Sequence, residues 1–134
     1  MSWDLFVLDL PADAETIEAI PPDVVPRPLG PRSEIIAAIC TVVPDANFTD
    51  PTWGQIVTPA FVLEVNLGQN ELVGSFALHV RGGEEAVACI AAMLDALGFR
   101  AFDAQVGDIF TREAALERFR SWRRFRDHAL DAES

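Results

Sequence analysis

At 134 residues the chain has room for one hydrophobic core and too little for two ordinary domains. Half of its residues are hydrophobic, which excludes wholesale disorder, yet Pro, Gly and acids interrupt every apolar run before the roughly 18 residues of a membrane span. The net charge of −11, built from 21 acids and 10 arginines without a lysine, repels phosphate backbones and argues against nucleic acid as a partner.

The charge is uneven. Residues 1–110 hold 16 acids and four arginines, whereas residues 111–127 hold six arginines and three acids. An acidic body of this kind suits a basic protein partner. No basic region precedes the first apolar run, so a secretory signal is not expected and a cytoplasmic location is. Cys40 and Cys89 lie among Ala, Ile and Val in helical stretches, where a thiol serves as a small hydrophobe. With no CxxC spacing, and with His79 and His128 far apart, neither a redox pair nor a metal site is indicated, and no cofactor is implied.

Trp3 to Leu10 reads as a strand, apolar on both faces and therefore central, ended by Pro11. Residues 11–32 contain six prolines. Within them Asp13 to Ile20 has the pattern of one or two helical turns, and 21–31 is either a functional loop or a rigid strap on the surface. Ser33 to Val43 carries Ile35, Ile36, Ile39, Cys40 and Val43 on one helical stripe, and Pro44 stops it. After the acidic turn 45–51, Trp53 to Thr58 is a weaker strand pattern.

Phe61 to Leu67 alternates, with Phe61, Leu63, Val65 and Leu67 on one side and Glu64 on the other. Leu72 to Arg81 alternates as well. A four-residue loop at 68–71 predicts a hairpin with Leu67 facing Leu72, Leu63 facing Phe76, Phe61 facing Leu78 and Glu64 facing Ser75. Gly82-Gly83 breaks the pattern, Glu84 to Leu97 is helical, and Gly98 offers a C-cap before an extended stretch from Phe99 to Val106. Thr111 is the N-cap of a last helix reaching about Ala129, anchored by Leu116, Phe119, Trp122 and Phe125 among arginines.

These elements predict an α+β fold: a mixed, mostly antiparallel sheet of four to five strands with helices on one face, ferredoxin-like or a related two-layer sandwich. A single domain over 1–110 carries, over 111–134, a docked arginine-rich helix with a frayed tail.

The polar sheet face, with Glu64, Ser75, His79 and Arg81, is the candidate binding site. It is also the only catalytic candidate, since Glu64 beside His79 suits a general base in a small hydrolase or isomerase. A solvated face explains the same residues. Gly82-Gly83 lacks the spacing of a phosphate loop, and Glu84 and Glu85 repel phosphate. Asp103 and Asp108 match no calcium loop. The arginine-rich helix either docks on the acidic body, serves as a partner or dimer arm through Phe119, Trp122, Arg123 and Arg126, or touches nucleic acid or membrane. The first of these is the economical reading.

The run Leu97-Gly98-Phe99-Arg100-Ala101-Phe102-Asp103-Ala104-Gln105-Val106-Gly107, with the opening Trp3-Asp4-Leu5-Phe6-Val7, resembles segments of small uncharacterised bacterial families, some similar to immunity proteins of polymorphic toxin systems. The resemblance covers roughly a third of the chain. Together with the size and the acidic charge, it implies a non-enzymatic, immunity- or antitoxin-like module that recognises a basic protein. It supplies no catalytic residues. A homodimer of structural or regulatory role is the remaining expectation.

Overall fold

The computed structural model describes residues 2–11, 14, 16–23 and 25–121. In chain order these form β1 (Ser2–Leu8), a 3-10 turn (Ile17–Ala19), β2 (Gly30–Pro31), α1 (Arg32–Val42), β3 (Trp53–Val57), β4 (Phe61–Asn66), β5 (Leu72–Val73), β6 (Phe76–Gly82), α2 (Glu85–Leu97), β7 (Arg100–Asp103) and β8 (Asp108–Ile109). A third helix, α3, occupies residues 112–121. Six strands pair in the order β3-β4-β6-β1-β7-β8, and β2 pairs separately with β5.

All five ladders of the large sheet are antiparallel. Its centre, β4-β6-β1-β7, is the split βαβ arrangement of a ferredoxin-like sandwich, because β1 separates β6 from β7 and α2 links those two. The sheet gains β3 at one margin and the two-residue β8 at the other. That makes it wider than the four to five strands expected, since Phe99 to Val106 is not one extended segment. It turns after Asp103 and returns as β8.

Period-two alternation decides which face is covered. Trp3, Leu5 and Val7 of β1 stand in register with Val80, Leu78 and Phe76 of β6, and Leu63 and Val65 of β4 meet Val80 and Leu78. All are buried. They form one core with Ile35 and Ile39 of α1, Val87, Ile90 and Met93 of α2, and Ala115 of α3, so the helices share one face of the sheet. Burying a side chain such as Leu5 or Ile90 contributes about 2 kcal/mol, and this layer supplies most of the driving force. Gly98, at φ +73°, caps α2, its N–H donating to the Leu94 carbonyl. A side chain there would be strained.

The hairpin departs from the expected register. Glu64 faces His79, Leu63 faces Val80 and Phe61 faces Gly82, four residues further along than the short loop implied. Leu72 and Val73 leave the hairpin to pair with Pro31 and Gly30, and Leu29 N–H also donates to the Val73 carbonyl. An even shift keeps every side chain on its expected face, which is why the core assignment survives the change. Ser75 does not survive it. That residue is exposed in the loop before β6, outside the sheet.

β3 is a border strand with company on its outer side. Asn47 and Gln55 exchange backbone hydrogen bonds of 2.8 and 2.9 Å, and the Phe48 ring lies where a Cβ on Gly54 would stand. Gly54 is therefore required by close approach rather than by a turn. Among the described residues no helix is long and apolar enough to cross a membrane.

Candidate functional site

The second face of the sheet carries no helix among the described residues. Near β7 and β8 it borders the segment after β1: the Arg100 guanidinium donates to the carbonyls of Pro11 (3.0 Å) and Ala14, and Ile17 N–H donates to Asp108 Oδ1 (2.8 Å). Across β3, β4, β6 and β1 the face lies open. Val57 is 67% exposed and Phe6 42%; β1 is central, as its apolar pattern implied, but its Phe6 face is not buried. The sequence shows an apolar residue at position 6 but not which described elements reach it.

One row across this face reads Gln55, Glu64, His79, Asp4 in direct register. His79 Nδ1 and Asp4 Oδ1 are 2.9 Å apart. On its other side the His79 ring stacks on Trp53, with centroids 5.6 Å apart and planes 19° from parallel. Trp53 Nε1–H in turn donates to Glu64 Oε2 (2.8 Å). Four side chains from four strands thus hold one another in a chain of contacts, Asp4–His79–Trp53–Glu64.

Trp53 is placed by the turn ahead of it. Asp50 Oδ1 accepts the Thr52 hydroxyl (2.7 Å) and the Thr52 N–H (2.9 Å), and these bonds, the hydroxyl's first, hold its carboxyl below the ordinary range. The Thr52 carbonyl accepts the N–H groups of Leu67 and Gly68, tying that turn to the end of β4.

Of the candidate residues, the fold thus brings Glu64 and His79 together. It sets Arg81 one row along the same face, opposite Val62, and excludes Ser75. Asp4 and Trp53 were missed as site residues. Period-two reading of β1 does put Asp4 opposite Leu5, but only knowledge that β1 pairs with β6 places it beside His79.

The catalytic expectation gains a histidine–carboxylate pair, with Asp4 rather than Glu64 as the bonded partner. Five cavities formed by the described residues, of about 300–440 Å³, lie elsewhere, and neither Glu64 nor His79 lines any of them. No described hydroxyl or thiol is hydrogen-bonded to His79. No group of three or more His, Cys, Asp or Glu suited to a metal ion occurs among the described residues.

The remaining candidates are structural. Asp103, 2% exposed, accepts Trp3 Nε1–H (2.9 Å), Arg118 Nη1–H (2.5 Å) and the Gln105 N–H (2.9 Å). Arg118 also stands 6.0 Å from the centroid of Trp3 and bonds Gln105 Oε1. Docking of the last helix on the acidic body is realised at this point. Phe119, half-buried, packs edge-on against Trp3 (5.6 Å) at the margin of the core. Trp122, Arg123 and Arg126, the others expected at a partner interface, lie outside the described residues. Burial pushes the Cys89 thiol up from its ordinary value, as a packing role requires.

Neither protein-family models, nor curated proteins, nor solved structures give a match to this chain.

Proposed function

We propose that the chain is a binding module of the immunity or antitoxin kind, which engages a basic protein through the uncovered face of its sheet. One observation carries the reading: exposed Val57 and Phe6 flank a fixed aromatic and carboxylate row on a face that carries no helix among the described residues. A surface of exposed hydrophobics beside ordered polar groups is the usual form of a contact site. The net charge of −11 speeds encounter with a cationic partner and slows encounter with acidic ones.

Two copies meeting face to face fit less well. Four strands about 4.8 Å apart and five to seven residues long span roughly 400 Å² in projection, against about 800 Å² per partner in a standard interface. Like net charges oppose that pairing too.

A photo-cross-linking side chain placed at Val57 or Phe6, with a control at exposed Ala92 of α2, tests the reading in cells of the source. Adducts to a basic protein from the two sheet positions, absent from the control, are expected. Adducts from Ala92 alone, or only between two copies of the chain, refute it.

The Asp4–His79 contact favours a second reading, a small hydrolase or isomerase with His79 as base. Turnover of a generic ester or amide panel that disappears in His79→Gln supports it, and absence of turnover in the parent removes it.

A further inference from the structure

We infer that the Trp53–His79 stack, with Glu64 and Asp4, is the seat for an arginine side chain of that basic partner. The inference rests on the binding-face reading and specifies its anchor.

Glu64 is half-buried and makes no ion pair among the described residues; its Oε2 accepts one neutral donor, the Trp53 indole N–H. Arg81, the nearest cationic position along the face, forms no ion pair with it. A carboxylate withdrawn from water with a single neutral donor gains strongly from a cation delivered to its second oxygen. Asp4 is similar: Oδ1 is engaged by His79, and the side chain is 53% exposed. Two carboxylates with spare acceptor capacity thus frame a pair of parallel aromatic rings.

That combination selects arginine over lysine. A guanidinium is planar, stacks on indole and imidazole faces, and donates several N–H bonds in one plane to carboxylates. An ammonium ion is compact and strongly hydrated, and it cannot stack. The seat is also rigid before binding, because Trp53 is held by Glu64 and by its stack on His79, so little ordering is required when a side chain arrives. Exposed Val57 and Phe6 on either side suit apolar neighbours of that arginine. Arg81, one row away, disfavours a second cation next to the first and so sets the direction in which a partner can lie.

The test titrates the whole 15N-labelled chain with capped glycine-flanked peptides holding one arginine, one lysine or one citrulline. Trp53→Phe assigns the indole resonance. Expected is a saturable shift of the Trp53 indole N–H with the arginine peptide, a several-fold weaker response with lysine and none with citrulline. Glu64→Gln, which keeps an acceptor for Trp53, and Asp4→Asn should each weaken the arginine response, while the spectrum itself reports that they fold. Equal shifts with citrulline, or an undiminished response in the Glu64→Gln, Asp4→Asn double variant, overturn the seat. If cross-links from Val57 and Phe6 persist while arginine leaves Trp53 unmoved, the seat is wrong and the binding face stands. If arginine binds and the cross-links fail, the seat stands and the basic-protein reading falls.

Discussion

Removing the Arg118 guanidinium with Arg118→Ala should unfasten α3 from the sheet, because Asp103 is then a buried charge without its cation. Breaking a fully buried pair in this way costs about 3–5 kcal/mol. Two features reduce the figure here: the Arg118 side chain is 37% exposed, and Asp103 keeps the Trp3 and Gln105 donors. The expected loss is about 2 kcal/mol, including the cation–π contact with Trp3. For a domain of this size that corresponds to a fall in Tm of about 6–10 °C. Urea unfolding measures the free energy, and amide exchange over residues 112–121 shows whether the loss is concentrated in α3. The double variant Asp103→Asn, Arg118→Ala has no orphaned charge, so the two substitutions should be sub-additive by about 1–2 kcal/mol. A loss under about 0.5 kcal/mol for Arg118→Ala, or strict additivity, would place the pair with solvent-screened surface bridges and refute the argument.

Two further outcomes follow from backbone and burial. Gly82→Ala should cost about 1–3 kcal/mol in urea unfolding, since φ is +123° and the new Cβ would lie 2.6 Å from the Ala60 carbonyl oxygen; Gly74→Ala, with nothing within 4 Å, should be near neutral. The raised Cys89 thiol gives a pH effect of definite sign: above the ordinary thiol value the unfolded chain releases a proton that the native state retains, so stability falls as pH rises toward the native value. The difference in unfolding free energy between the parent and Cys89→Ala should therefore change between neutral and alkaline pH, and a constant difference would count against burial as the cause.

Side-chain periodicity carried much of this fold in advance. Leu63, Val65, Leu78 and Val80 could be placed on the core face because alternation survives any even shift of register. Gly98 and Thr111 marked helix limits through local chemistry alone, and the Ala114 N–H does bond Thr111 Oγ1 (3.3 Å). Pairing between distant segments was not legible. Nothing local announces that Leu72 and Val73 prefer Gly30 and Pro31, a pairing that lengthened the loop and removed Ser75 from the site. For the same reason Glu64 and His79 were visible as polar residues on strands, whereas Asp4 and Trp53 became neighbours of His79 only through contacts across the sheet.

The short pairing of Asn47 with Gln55 bears on how the molecule behaves when crowded. An unpaired border strand invites the same strand of another molecule, and stacked sheets grow from such contacts. Here the outward N–H and C=O of Gln55, midway along β3, are already taken, and Phe48 crowds the adjacent Gly54. Cutting the 45–51 turn back to a tight link would free that border. The expected result is concentration-dependent precipitation at protein concentrations where the parent stays in solution.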